Sequence, residues 1–126
     1  LTGHELASSY LQTKGGSAKQ MTGIAEALKM APYLSQKTAI YSSGMLKKLS
    51  LLLSFAGEPQ LILLDEPFLT LDAAAIHELR TMIRQKSREQ VSFLISSHQQ
   101  LALEIPHQSL LISGQTIETN SDAATA

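Results

Sequence analysis

The chain contains 126 residues, of which 44% are hydrophobic and 17% charged, and its formal net charge is −1. No stretch approaches the ~18 apolar residues that a membrane-spanning helix needs, so the composition indicates a globular piece. The absence of cysteine excludes disulfides and thiolate metal sites. Basic residues are scattered and only three Tyr and three Phe are present, so we expect no nucleic-acid partner.

The chain begins with a predicted helix. Thr2 and Glu5 have the spacing of a capping box, which predicts a helix over about residues 3–13. Gly15-Gly16-Ser17-Ala18-Lys19 is the only glycine–lysine cluster, but its spacing differs from that of a phosphate-binding loop and no apolar strand precedes it. We therefore interpret this segment as a turn between two helices.

A second helix is predicted after this turn. Ser17 and Gln20 repeat the capping pattern, and the helix is expected to end near Met30 because Pro32 follows. A further short helical turn is expected between residues 34 and 40. The first part of the chain is therefore predicted to be helical throughout.

From residue 44 onward the pattern alternates between helix and strand. Such alternation predicts an α/β fold, in which a parallel sheet is covered by helices. Leu61 to Leu64 form an uninterrupted aliphatic run, which predicts a strand buried on both faces. The expected elements are a helix from about residue 44 to 55, a strand over 61–64, a helix from about 73 to 88 and a strand over 91–96.

One more helix and a hairpin are predicted near the end of the chain. Residues 99–105 are expected to form a short helix that Pro106 ends. Residues 110–112 and 116–118 are expected to pair as strands around Gly114-Gln115. The small, polar residues 119–126 are expected to form a disordered tail.

Two adjacent carboxylates, Asp65 and Glu66, directly follow the first predicted strand. Pro67 ends that strand, and open α/β sheets bind ligands beyond the carboxyl ends of their strands. One carboxylate suits the binding of Mg²⁺ and the other the orientation or deprotonation of an attacking water, which are both tasks of a phosphate-hydrolysing site. A solvated acidic turn would show the same two residues, so the neighbouring motifs decide between these interpretations.

Two further motifs accompany the carboxylates. Tyr41-Ser42-Ser43-Gly44-Met45 lies at a predicted helix start, where unpaired N–H groups and the helix dipole favour an anion, and Ser96-Ser97-His98 ends the next predicted strand. In this order the motifs resemble those of the ATP-binding-cassette (ABC) transporter ATPases. The pentapeptide resembles the family's signature Leu-Ser-Gly-Gly-Gln: Ser42 and Gly44 match, whereas Ser43 replaces a glycine and Met45 the glutamine.

The resemblance implies a role for each motif. Asp65 would be the Mg²⁺-binding aspartate that ends the Walker B strand, Glu66 the catalytic glutamate, and His98 the switch histidine that contacts the γ-phosphate of ATP. Leu69 to Asp72 would form the D-loop. The signature would face ATP held by a second ATPase subunit, so that ATP joins two subunits as a dimer. The residues expected to contact nucleotide are Ser42, Ser43, Gly44 and Asp72.

The resemblance covers nearly the whole chain from Tyr41 to about Glu118, and the preceding helices more loosely. It implies a partial P-loop NTPase of ABC type, with residues 1–44 as part of the helical (signature) subdomain and residues 45–118 as the C-terminal part of the ATPase core. The Gly-x-x-x-x-Gly-Lys-Ser/Thr phosphate loop (Walker A) is lacking. The chain is therefore expected to be the C-terminal portion of a longer ATPase and to be inactive alone.

The same resemblance implies ATP and Mg²⁺ as cofactors, a transmembrane permease subunit as partner, and a cytoplasmic location on the inner face of the cell membrane. Two alternatives stay open. The chain would be a non-catalytic interaction module, or it would belong to an ABC ATPase that is not a transporter, since related units drive DNA-repair and translation factors. A serine hydrolase is disfavoured because the Gly-x-Ser-x-Gly elbow is absent.

Overall fold

The structure, a computed structural model, describes residues 1–122. Two short 3₁₀ turns, Ala31–Tyr33 and Thr38–Ile40, connect the second helix to the third. Among residues 1–122, none of the helices has the combined length and hydrophobicity of a membrane span. In chain order, the helices and strands are α1 (Gly3–Lys14), α2 (Ala18–Ala27), α3 (Ser43–Phe55), β1 (Leu61–Asp65), α4 (Ala73–Arg88), β2 (Ser92–Ser96), β3 (His107–Ser113) and β4 (Thr116–Asp122).

The capping box that predicted α1 is present. The Thr2 backbone N–H donates to Glu5 Oε2 at 2.7 Å, and the Glu5 N–H donates to Thr2 Oγ1 at 3.2 Å. Two of the unpaired N–H groups at the helix start are satisfied in this way. The segment after α1 is the predicted turn, since α1 ends at Lys14 and α2 begins at Ala18.

The cap at the start of α2 differs from the predicted capping pattern in the partner of the Gln20 side chain. Ser17 caps α2 by accepting the Gln20 N–H at 3.1 Å. The Gln20 side chain, however, reaches the loop after α3, where it donates to the Gly57 carbonyl at 2.8 Å and accepts the Gly57 N–H at 3.0 Å. The helix ends at Ala27 rather than near Met30, because Lys29 adopts a left-handed φ of 57° that no α-helix continues.

The predicted parallel sheet is confirmed by β1 and β2, which pair in parallel from Leu61 opposite Ser92 to Asp65 opposite Ser96. The prediction that Leu61 to Leu64 are buried on both faces is wrong for the described chain. Ile62 and Leu64 are 2% and 5% exposed, whereas Leu61 and Leu63 are 55% and 63% exposed. The core covers one face of β1, whereas the side chains on the other face are more than half exposed.

A single core joins the helical region to the strands. Phe55 at the end of α3 lies against Phe93 of β2, with ring centroids 5.9 Å apart. Side chains from α2, α3 and α4 complete this cluster, so the two regions predicted from the sequence share one apolar interior. Its most buried members include Leu28, Met30, Leu52, Phe55, Leu79 and Ile83.

The chain end departs from prediction in two places. Residues 99–105 form no helix, because Glu104 has a left-handed φ of 56° and Pro106 disfavours a helical residue before it. The hairpin is present but longer than predicted, with His107 paired to Asp122. Residues 119–122 therefore belong to β4 rather than to a disordered tail, and residues 123–126 lie outside the described part of the chain.

Candidate active site

The parallel register places the ends of β1 and β2 side by side. Asp65 is opposite Ser96, and the Ser96 hydroxyl donates a short hydrogen bond to Asp65 Oδ1. Asp65 is exposed to solvent. Its carboxylate is therefore oriented by a neighbouring strand while remaining accessible beyond the carboxyl end of the sheet, as predicted for a ligand-binding edge.

Glu66 leaves the strand in an unusual conformation. Its φ is 46°, in the left-handed region that costs a non-glycine residue on the order of 1–3 kcal/mol. Its backbone N–H lies 3.1 Å from the Ser96 carbonyl and 3.2 Å from the Ser96 hydroxyl, both of which accept from it. The bonds from β2 thus hold a backbone geometry that Glu66 would not favour by itself.

The carboxylate of Glu66 also contacts His98. The His98 backbone N–H donates to Glu66 Oε1 at 2.8 Å, and His98 Nε2 lies 3.3 Å from the same oxygen. The two side chains differ in accessibility, since that of Glu66 is 22% exposed and that of His98 94%. The structure therefore brings together Asp65, Glu66, Ser96 and His98, which we call the carboxylate cluster.

The start of α3 lies beside the loop that follows the cluster. Ser42 caps the helix, accepting the Met45 N–H at 3.2 Å through its hydroxyl. A Cβ atom on Gly44 would lie 3.2 Å from the Thr70 carbonyl oxygen, so the helix start approaches this loop closely. Ser43, which replaces a glycine of the signature, lies within α3 and has no positive φ. The backbone at Ser43 therefore does not require glycine.

Two consecutive lysines tie α3 to this loop. Lys47 Nζ donates to the Glu66 carbonyl at 3.0 Å and to the Asp65 carbonyl at 3.4 Å. Lys48 Nζ lies 3.7 Å from Asp72 Oδ2. These contacts connect the helix that carries the signature-like pentapeptide to the backbone of Asp65 and Glu66 and to the start of α4.

Asp72 caps α4 by accepting the Ala75 N–H at 2.8 Å. This backbone hydrogen bond, followed by the nearby Lys48 ammonium, holds the pKa of the Asp72 carboxyl below its usual range. Asp72 thus has a structural role at the helix start, and its side chain is 66% exposed. No contact in the structure joins it to Asp65, Glu66 or His98.

Asp65 fits the requirements of a Mg²⁺ ligand. Mg²⁺ prefers oxygen donors and usually takes one or two protein carboxylates, with waters and phosphate oxygens completing its shell. An accessible carboxylate at a strand end suits that arrangement. Among residues 1–122 no group of three or more His, Asp or Glu side chains is arranged to hold a metal ion, so any metal at Asp65 would need further ligands from water or phosphate.

Two cavities border β1. One, of about 670 Å³, lies between α1, α3 and β1 and is lined by residues such as Tyr10, Leu53 and Leu61. A smaller one, of about 180 Å³, includes Asp65 and Lys47 in its lining. Of these two cavities, only the smaller one touches the carboxylate cluster. The candidate site is therefore identified by its chemical groups and not by the size of its cavity.

Sequence reasoning missed three contributors to this region. Ser96 was noted only as part of a strand-end motif, and its register opposite Asp65 is seen only in the structure. Lys47 and Lys48 carried no local signal, because their partners are 18 or more residues away in sequence. Such long-range contacts are fixed by the way α3 packs on the sheet.

Comparisons with known proteins identify the class. A family model described as "AAA domain, putative AbiEii toxin, Type IV TA system" matches residues 30–104. The structure of an ATP-binding subunit of an ABC transporter superposes with a TM-score of 0.72 at 29% identity, covering 78% of this chain and 42% of that one. A cobalt transport ATP-binding protein superposes with a TM-score of 0.81 over 96% of this chain and 47% of that one, and at 22% identity it shows the fold alone. The fold is therefore that of P-loop ATPase domains.

Curated relatives narrow the class further. The bacitracin transport ATP-binding protein BcrA of Enterococcus faecalis is 33% identical over 102 residues, which cover 78% of this chain and 32% of that protein. The ABC transporter ATP-binding protein YtrB of Bacillus subtilis is 48% identical over 58 residues, 45% of this chain and 20% of that protein. The chain belongs to the AAA-domain family and is part of an ABC-type ATPase, as the motifs predicted. It spans about a third of the length of the curated relatives it matches.

Proposed function

We propose that this chain supplies the water-activating part of an ABC transporter ATPase. The observation that carries the proposal is the joint placement of Asp65, Glu66 and His98 at the carboxyl ends of two paired parallel strands. Asp65 would hold Mg²⁺, which supplies charge neutralisation for the phosphates when bound. Glu66 orients and polarises the attacking water, and His98 contacts the γ-phosphate.

The start of α3 serves the second ATPase subunit. Ser42, Ser43 and Gly44 lie at a helix N-terminus, where N–H groups and the helix dipole favour phosphate. Asp72 belongs to the neighbouring loop, and Gly44 packs against the same loop at Thr70. This arrangement supports an ATP-bridged dimer in which each subunit completes the site of the other. Hydrolysis would drive a transmembrane permease subunit at the inner face of the cell membrane.

The role of Glu66 is tested in a single-chain ATPase in which residues 1–126 are joined to a segment that carries a phosphate-binding loop; we call this protein the joined ATPase. Glu66→Gln keeps the shape of the side chain and removes its charge, so ATP binding is expected to persist while kcat falls by on the order of 10²-fold or more. Glu58→Gln, an exposed change in the loop before β1, serves as the control. Unchanged turnover in Glu66→Gln would refute the assignment, and binding without turnover in every variant would favour the interaction module.

A further inference from the structure

Lys47 contacts the backbone of both adjacent carboxylate residues. Its ammonium donates to the Glu66 carbonyl at 3.0 Å and to the Asp65 carbonyl at 3.4 Å, and the residue is partly buried. A charged donor forms stronger hydrogen bonds than a neutral one, especially where water is partly excluded. Lys47 lies five residues after the Ser42 cap of α3, so its side chain links the start of that helix to the carboxyl end of β1.

Lys47 contacts the carbonyl of a residue whose backbone conformation is unfavourable. Glu66 has a φ of 46°, a conformation that persists in a non-glycine residue only when surrounding contacts impose it. On one side the Glu66 N–H is bound by Ser96 of β2. On the other side the Glu66 carbonyl accepts from Lys47 of α3 at 3.0 Å and from the Leu69 N–H at a longer 3.3 Å. The residue is therefore clamped at both ends of its own backbone.

We propose that Lys47 is a positioning residue that holds Glu66 in its left-handed conformation and so directs its carboxylate toward His98. The direction is visible in the hydrogen bond from the His98 N–H to Glu66 Oε1 at 2.8 Å. Without Lys47 the Glu66 carbonyl keeps only the longer, neutral hydrogen bond from the Leu69 N–H. Glu66 then returns to a commoner φ, and its side chain moves away from the position that the bond to His98 defines. The importance of this position for hydrolysis rests on the proposed function, but the clamp itself does not.

The test is a comparison of Lys47→Met with Lys48→Met by NMR of the 126-residue chain. Both variants remove one ammonium group from α3, but Lys48 contacts Asp72 rather than Glu66. Lys47→Met is expected to move the carbonyl ¹³C resonance of Glu66 upfield and to remove the downfield amide proton shift of His98. Lys48→Met is expected to leave both signals in place, and Lys47→Arg, which keeps a charged donor, restores them.

A merely structural role would change the melting temperature without altering these two local signals, and that result would overturn the proposal. If Lys47→Met does not fold, Lys47→Gln replaces it, because glutamine packs in the same space with a neutral, shorter donor; unchanged Glu66 and His98 signals in that variant would equally overturn it. In the joined ATPase, loss of positioning lowers kcat by on the order of 10- to 100-fold with KM for ATP nearly constant. A clamp seen by NMR together with unchanged turnover in Glu66→Gln would leave the positioning intact and reject only the proposed function.

Discussion

Asp72 has two partners that stabilise its charged form. The Ala75 N–H donates to one carboxylate oxygen, and Lys48 lies near the other. Both contacts hold the pKa of Asp72 below its usual range in the folded chain. Because the folded state favours the ionised carboxylate, this stabilisation is fully present above the unfolded pKa of about 3.9 and is lost as the pH falls through the lower folded pKa.

We therefore predict that Asp72→Asn will change how stability depends on pH. Asparagine is as good an N-cap as aspartate, so the variant keeps the hydrogen bond to Ala75 and loses the charge. Wild type should be the more stable at pH 7, and the difference should shrink at pH values below about 3.9. Urea denaturation of both proteins at several pH values measures this difference. A gap that stays constant or widens in acid would contradict the account.

Some features of the site could be predicted from the sequence and others could not. Asp65, Glu66 and His98 were predicted from strand ends, and the structure brings them together because two parallel strands end level with each other. The left-handed φ of Glu66 and its clamp by Lys47 had no signal in the sequence. Backbone strain depends on contacts with distant elements, so periodicity and motif spacing do not reveal it. The nucleotide-contacting roles of Ser42, Ser43, Gly44 and Asp72 stay predictions.

Gly57 lies where the loop after α3 contacts the end of α1 and the start of α2. This residue follows α3, has a φ of 81°, and receives the two hydrogen bonds of the Gln20 side chain. A Cβ atom there would lie 2.8 Å from the Lys14 carbonyl oxygen and 2.9 Å from that of Gly15. The end of α1 and the loop after α3 therefore approach each other as backbone against backbone.

We predict that Gly57→Ala will destabilise the chain much more than Gly114→Ala. Both positions have a positive φ, which costs an alanine roughly 1–2 kcal/mol, but Gly114 lies in the hairpin turn with nothing within 4 Å of an added Cβ. The added clash at Gly57 should bring its total loss to about 3 kcal/mol or more. Chemical denaturation measures both values, and equal losses would show that the close approach at Gly57 is unimportant.

Elements with strong local signals were predicted well. The helix over residues 73–88 has an aspartate cap at its start, and the structure gives those bounds. The prediction of a helix over residues 99–105 was wrong because apolar residues of this segment pack in the core without forming a helix. Leu103 is buried in the core from a segment without regular secondary structure, and Leu101 packs against that core. Apolar spacing in so short a stretch does not distinguish these two outcomes.

The whole molecule has a sheet with one covered face. Leu61, Leu63 and Leu94 are exposed, whereas Ile62 and Leu64, on the opposite face of β1, are buried. Parallel sheets are commonly covered on both faces. This chain matches only about a third of the length of its curated relatives. Residues 1–122 therefore leave this apolar face of the sheet largely exposed.

One substitution on each face of β1 tests this difference in burial. Ile62→Ala removes a buried side chain and should cost about 2–5 kcal/mol, whereas Leu63→Ala removes an exposed one and should change stability by no more than about 0.5 kcal/mol. Chemical denaturation of the isolated chain at a low protein concentration separates these effects from self-association. Comparable losses at the two positions would mean that the second face is also covered in solution.

We propose that this chain carries the water-activating residues of an ABC-type site and requires a phosphate loop to bind nucleotide. The most direct test is an amide-resolved NMR titration with Mg²⁺ and ATP, carried out on the chain alone and on the joined ATPase, and observed at Ser42, Gly44, Asp65 and His98. We predict no saturable shifts for the chain alone up to about 5 mM nucleotide, and saturable shifts at Asp65 and His98 in the joined ATPase. Saturation by the chain alone, or silence at Asp65 and His98 in the joined ATPase, would contradict the account.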